Sequence, residues 1–176
     1  MSNKLSFDNI FIPRKIDKIE EKERMRIQKI LQQKVVEGDL DLHGINWIED
    51  LGNIKEVKGD LYLQNSSIKS LGNLEYVEAD LNLQNTPIQS LGNLRHVGGD
   101  LDLRNTPIQS LGNLEYVGWD LFLRNTPIQS LGNLKYVGWD LFLQNTPLSR
   151  LPKEELNIIL NKIKIGGKAY VKQAKF

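Results

Sequence analysis

Leu101 and Leu103 alternate with Asp102 and Arg104, and the same Leu-x-Leu spacing returns at Leu61, Leu81, Leu121 and Leu141. Alternation of this kind puts one set of side chains on the buried face of a short strand. An aspartate precedes each segment, at Asp60, Asp80, Asp100, Asp120 and Asp140, so the spacing is 20 residues. An earlier copy starts at Asp39, one residue out of phase, because "HGINW" stands where the next copy has "QNSS". The unit reads V-x-x-D-L-x-L-x-N-T-P-I-Q-S-L-G-N-L. This period is too short for a pair of helices and fits one turn of a solenoid whose rungs stack on a shared core. Ile108, Leu111, Leu114 and Val117 supply further inward positions, while Pro107 and Gly112-Asn113 break regular structure and turn the chain. The pattern predicts one short parallel strand per repeat. It places extended chain or 3₁₀ turns, not α-helix, on the outer side.

Several polar columns run through the repeat. Asn65, Asn85, Asn105, Asn125 and Asn145 end the strands, and Asn53, Asn73, Asn93, Asn113 and Asn133 follow the glycines. A side-chain amide repeated on each rung can donate to one neighbour and accept from another, so the first column is expected to form a buried ladder. The second column reads equally well as a simple turn preference. Thr86, Thr106, Thr126 and Thr146 are expected to satisfy backbone groups in a similar way. Each threonine precedes a proline and has charged or amide side chains as neighbours, which disfavours a flat ice-binding face. The aspartates are expected to accept backbone N–H groups at the strand starts, in preference to acid–base or calcium chemistry.

"DLDLRNTPIQSL", from Asp100 to Leu111, resembles a leucine-rich repeat, with Leu101, Leu103 and Ile108 in three apolar slots. Thr106 holds the slot usually taken by asparagine, and Asn105 comes one place early. The "VGGDL" at Val97 is similar to the turns of receptor L-domains. The resemblance runs roughly from Val36 to Leu151. It implies a β-rich α/β solenoid, a right-handed superhelix with few convex-side helices, and a role in protein binding.

The ends of a rung stack expose apolar surface and call for caps. "IDKIEEKERMRIQKILQQKVV" puts Ile16, Ile19, Ile27, Ile30, Leu31 and Val35 on one helical stripe, with Phe7, Ile10, Phe11 and Ile12 ahead of it. At the other end Pro152 begins a helix, Glu154 and Glu155 suit its N-terminal dipole, and Leu156, Ile159, Leu160 and Ile163 form its apolar stripe. Gly166 and Gly167 are expected to end that helix, leaving "KAYVKQAKF" as a short strand or loose tail. The expected organisation is an N-terminal segment with a capping helix over 1–37, a solenoid over 38–151, and a C-terminal capping helix with a basic tail over 152–176.

Composition narrows the chemistry. The chain is 40% hydrophobic, has a formal net charge of +1 and contains no cysteine. The absence of cysteine excludes disulfides, thiol catalysis and cysteine zinc sites, and the balanced charge points to neither nucleic acid nor membrane. Lys162, Lys164, Lys168, Lys172 and Lys175 make a basic C-terminus that reads as solvated in preference to nucleic-acid-binding. With no signal-peptide or transmembrane stretch, a soluble cytoplasmic protein is expected. His43 and His96 stand apart in different rungs, His96 in a column otherwise held by Tyr76, Tyr116 and Tyr136. No catalytic constellation emerges, so a non-enzymatic protein without a cofactor is expected.

Near-identical repeats hold the scaffold constant, so information sits where they differ. The outward position within Leu-x-Leu reads Asp41, Tyr62, Asn82, Asp102, Phe122, Phe142, and the next outward column reads His43, Gln64, Gln84, Arg104, Arg124, Gln144. The residue before the aspartate reads Gly38, Gly59, Ala79, Gly99, Trp119, Trp139. A core slot sized for glycine cannot hold indole, so both tryptophans belong at the sheet rim. Trp119, Phe122, Arg124, Trp139 and Phe142, with Arg104 beside them, form the expected partner site, since Trp and Arg are enriched at binding hot spots. The expected function is a protein-interaction module acting as adaptor, inhibitor or effector. Its economy and close repeats suggest a bacterial or viral source. A self-associating structural solenoid is the alternative.

Overall fold

The computed structural model describes residues 15–171, and side chains from residue 20 onward. The expectations for Phe7, Ile10, Phe11, Ile12, the side chains of Ile16 and Ile19, and the tail lysines Lys172 and Lys175 lie outside these residues. The chain divides into an N-terminal unit ending at Ile30 and a second unit beginning at Leu31. The helix α1 spans Lys15–Leu31. Val35, placed on its apolar stripe by sequence, instead belongs to the first strand.

The second unit is a parallel β-solenoid with two short strands per repeat. The first member of each pair is β1 (Val35–Val36), β3 (Glu56–Val57), β5 (Tyr76–Val77), β7 (His96–Val97), β9 (Tyr116–Val117) and β11 (Tyr136–Val137). The second is β2 (Leu40–Asp41), β4 (Leu61–Tyr62), β6 (Leu81–Asn82), β8 (Leu101–Asp102), β10 (Leu121–Phe122) and β12 (Leu141–Phe142). The odd-numbered strands, closed by β13 (Lys164–Ile165), form one seven-stranded sheet, and the even-numbered strands, closed by β14 (Ala169–Tyr170), form another. The expectation of one strand per repeat thus finds only half of the β-structure. The aromatic–valine pair ahead of each Gly-x-Asp corner also alternates outward and inward, and its register (Tyr116↔Tyr136, Val117↔Val137) repeats the same residue types rung on rung.

The core is the stack of identical apolar positions. Leu101, Leu103, Ile108, Leu111, Leu114 and Val117 are fully buried, as are nearly all their equivalents. Cutting one such leucine to alanine would cost about 2–5 kcal/mol. Rungs are joined by backbone bonds such as Leu101 N–H to Asp120 O at 2.9 Å and Leu103 N–H to Phe122 O at 2.9 Å. Gly112 turns at φ 56, and its N–H donates to Ser110 Oγ at 3.1 Å. Beside this turn a charge column alternates sign along the stack. Lys55 pairs with Glu75, and Glu115 pairs with both Arg95 and Lys135.

The polar columns behave as expected in part. Asp80, Asp100, Asp120 and Asp140 each donate a backbone N–H to the Oδ1 of the aspartate one rung earlier, at 2.8–2.9 Å. Thr86, Thr106, Thr126 and Thr146 are buried and donate from Oγ1 to the carbonyl three residues back at 2.7 Å. The Asn65–Asn145 column is a continuous amide ladder with Nδ2-to-Oδ1 distances of 2.8–3.0 Å. It is exposed, not buried, because these residues turn the chain away from the sheet at φ 58–61. Asparagine is among the few non-glycine residues that tolerate this left-handed region. In the second column Asn73 and Asn113 donate from Nδ2 to the carbonyls of Gly52 and Gly92 one rung earlier, both at 3.1 Å.

After β12 the chain makes a 3₁₀ turn (Leu148–Arg150) and the helix α2 (Lys153–Leu160) before returning to the sheets. Pro152 stands at its N-cap, with Glu154 and Glu155 in the first turn. Leu156 and Ile163 are buried. Gly166 and Gly167 do not end this helix, which stops six residues earlier at Leu160. They form the corner between β13 and β14.

Candidate functional site

The outward face of the second sheet changes character along its length. In the early rungs the polar group within each Leu-x-Leu is taken up locally, while in the next column Gln64 Oε1 is buried without a hydrogen-bond partner among the described residues. His43 Nδ1 lies 2.6 Å from Asp41 Oδ1, so His43 does not stand alone. Tyr62 donates its hydroxyl to Asp60 Oδ2 at 2.7 Å, which pushes the phenol up to about 12. Asn82 Oδ1 accepts the Gln84 N–H at 3.0 Å. Asp102 is buried and bound by Arg104, whose Nε lies 2.9 Å from both carboxylate oxygens.

From β10 onward the column turns aromatic. Phe122 stacks on Phe142, and Phe142 on Tyr170, with both pairs of centroids 4.9 Å apart and rings within 7° of parallel. Parallel in-register strands hold neighbours about 4.8 Å apart, so identical outward rings are stacked by the backbone itself. Arg104 lies over Phe122 at 5.4 Å and Arg124 over Phe142 at 4.6 Å. Arg124 Nε also donates to Gln144 Oε1 at 2.9 Å.

The tryptophans stand at the corners that lead into β10 and β12. Their indoles stack with centroids 5.8 Å apart and remain 49% and 60% exposed. The preceding glycines set this geometry. A Cβ on Gly118 would lie 1.8 Å from the Gly98 carbonyl oxygen, and one on Gly138 1.7 Å from that of Gly118. Only glycine lets these corners approach so closely. The next residues then form a backbone ladder from Trp139 N–H to Trp119 O at 3.2 Å and from Trp119 N–H to Gly99 O at 3.1 Å.

The structure therefore brings Phe122, Phe142, Arg104 and Arg124 into one stacked array and pairs Trp119 with Trp139 at the adjoining corner. Tyr170 is the member that sequence reasoning missed. The signal was present: "IGGKAYV" follows "VGWDLFL" position for position, with Lys168 in the aspartate column and Tyr170 in the phenylalanine column. Lys168 confirms that register by donating its backbone N–H to Asp140 Oδ1 at 2.7 Å.

The other sheet carries a second aromatic column. His96 stacks on Tyr116 at 4.4 Å and Tyr116 on Tyr136 at 4.8 Å, and Lys164 Nζ ends the run 5.6 Å from the Tyr136 centroid. Burial pushes the His96 imidazole below its usual range despite Glu78 nearby, so neutral His96 is one more flat ring in the stack. Burial pushes the Asp100 carboxyl up, with the neighbouring aspartates adding to the effect. Among the described residues no helix is long and apolar enough to cross a membrane. Comparison with protein-family models, curated proteins and solved structures found no match for this chain.

Proposed function

We propose that this protein is a non-enzymatic interaction module that binds another protein through the C-terminal part of its second sheet face. The observation that carries this reading is the stacked and exposed Trp119–Trp139 pair beside the Phe122–Phe142–Tyr170 array. Exposed apolar surface costs free energy in water, and such surface rimmed by polar side chains marks interaction sites. The repeated aspartates are committed to backbone N–H groups, which favours presentation over catalysis. An adaptor, inhibitor or effector of bacterial or viral origin, working in a cytoplasm, fits this reading. So do capping roles for α1 and α2, and kinship with leucine-rich repeats and L-domains through the Leu-x-Leu strands.

The test compares partner capture by the native chain with capture by Trp119→Ala/Trp139→Ala. Each hot-spot side chain contributes about 2 kcal/mol, so the double substitution should weaken binding roughly a thousandfold. Tyr62→Ala/Asn82→Ala, on the same face in earlier rungs, should bind almost normally. Unchanged capture by a folded tryptophan variant would move the site elsewhere, with the Tyr76, Tyr116 and Tyr136 column next in line. Concentration-dependent oligomers that disappear in the tryptophan variant would instead make a second copy of the chain the occupant.

A further inference from the structure

We infer that the partner segment carries a carboxylate close to a large apolar or aromatic side chain, and that Arg124 reads the carboxylate. This inference rests on the protein-binding reading of the face. Arg104 and Arg124 occupy one column on neighbouring rungs, and their surroundings differ at one position. Arg104 has Asp102 two residues earlier and holds it through Nε and Nη2. The same position ahead of Arg124 is Phe122, so the second rung keeps the arginine and lacks the carboxylate. Among the described residues Arg124 has no ion-pair partner.

Arg124 is nonetheless held in place. Its guanidinium lies over Phe142 at 4.6 Å and its Nε donates to Gln144 Oε1 at 2.9 Å, with Gln144 itself buried. These contacts occupy one face and Nε and leave both terminal amino groups without a bond among the described residues. A guanidinium immobilised in this way has already lost much of its rotamer freedom, and its planar pair of amino groups matches a carboxylate. The nearby acids are otherwise engaged: Asp102 by Arg104, and Asp120 and Asp140 through Oδ1 by backbone N–H groups of the next rung. A single free guanidinium suits the single charge of a carboxylate. A phosphate, near two charges, calls for further cations, and Arg104 is already neutralised. The stacked rings of Phe122 and Phe142 and the tryptophan corner supply the apolar half of the site.

The test screens the full chain against a random library of displayed dodecapeptides, then remakes the selected peptides with each acid replaced by its amide. Binding is read by fluorescence anisotropy. Selected peptides should share Asp or Glu within a few residues of Trp, Phe or Leu, and the acid-to-amide change should weaken binding at least tenfold. Arg124→Gln should weaken the parent peptide by the same factor and leave the amide peptide unaffected. Its fold is safe, since glutamine fills this column at Gln64, Gln84 and Gln144. Arg124→Lys should recover only part of the loss, because a point charge lacks the fork. Tryptophan-dependent peptides that bind equally as acid and amide would overturn this inference and leave the face standing. Phosphoserine in place of the acid that tightens binding tenfold or more would overturn the carboxylate assignment. A library that yields no peptide sensitive to Trp119→Ala/Trp139→Ala would overturn the face itself, and this inference with it.

Discussion

The rungs before and after Arg104 share one core, one backbone ladder and one set of asparagine turns, yet they treat their outward groups in opposite ways. In the early rungs Asp41 faces His43, Tyr62 faces Asp60, Asn82 takes a backbone N–H and Asp102 takes Arg104. Each of these four Leu-x-Leu side chains has a partner within two residues. In the later rungs phenylalanine and tyrosine fill the same column and stack on one another and under Arg104 and Arg124, and tryptophan enters the corner. A face whose polar groups satisfy each other offers a partner little beyond desolvation cost. A face of rigid stacked rings with a held guanidinium has met that ordering cost in advance.

The corner offers the sharpest break in this comparison. Gly118→Ala drives a Cβ into the Gly98 carbonyl, where backbone cannot move aside, and should destabilise by about 3 kcal/mol. Glu78→Ala, at the same corner position in an earlier rung, should stay within about 0.5 kcal/mol. Chemical denaturation of both variants checks the contrast, and equal losses would mean that the corners do not differ. The asparagine ladder runs through both regions and should not discriminate them. Asn105→Ala should lose about 1–2 kcal/mol through its left-handed backbone, and Asn105→Gly clearly less, since glycine keeps φ 59 without strain. An equal loss in the two variants would assign the cost to the amide bonds instead.

Smaller again is the effect of the indoles on the fold. Trp119→Gly should cost about 1 kcal/mol or less in thermal denaturation, the size of one stacking interaction, because Gly99 and Gly167 hold the same column without a side chain. The smallest effect is confined to alkaline solution. Tyr62 keeps its proton up to about 12 through its bond to Asp60, against about 10 for an ordinary tyrosine. Its contribution to stability is therefore present below about pH 10 and lost as pH rises through about 12. Tyr62→Phe should remove the latest part of the tyrosinate absorbance titration and flatten the melting temperature over that interval.

Much of this was legible in the residues, and the failures have physical causes. The Leu-x-Leu strands and the aspartate acceptors follow from a strict period, since identical residues on stacked rungs must meet their own kind. The second strand was harder to see because Tyr116-Val117 and its equivalents offer a single inward residue, the valine, where Leu101 and Leu103 bracket an outward one and make the alternation visible. The asparagine ladder was foreseen as a ladder but not as an exposed one, since pattern alone does not distinguish a buried amide from one at positive φ. Tyr170 was hidden by substitution: Lys168, Ala169 and Val171 replace Asp, Leu and Leu, so the last copy no longer looks like one. The place of Trp119 and Trp139 at the sheet rim was read from variation between copies, and the glycines that stack them were not.

The last rung differs from the others in length. Asp140 and Lys168 are successive members of one hydrogen-bonded column, yet 28 residues separate them where 20 or 21 suffice elsewhere. The additional residues, α2 among them, leave and rejoin the stack without disturbing the pairing of β11 with β13 or of β12 with β14. The stack thus accepts added length after Asn145, like a socket in a modular frame, provided the buried Leu148 and Leu156 are kept. A second recognition loop of similar length could be spliced into the exposed part of this stretch while Leu148 and Leu156 keep their buried places and the sheets stay paired.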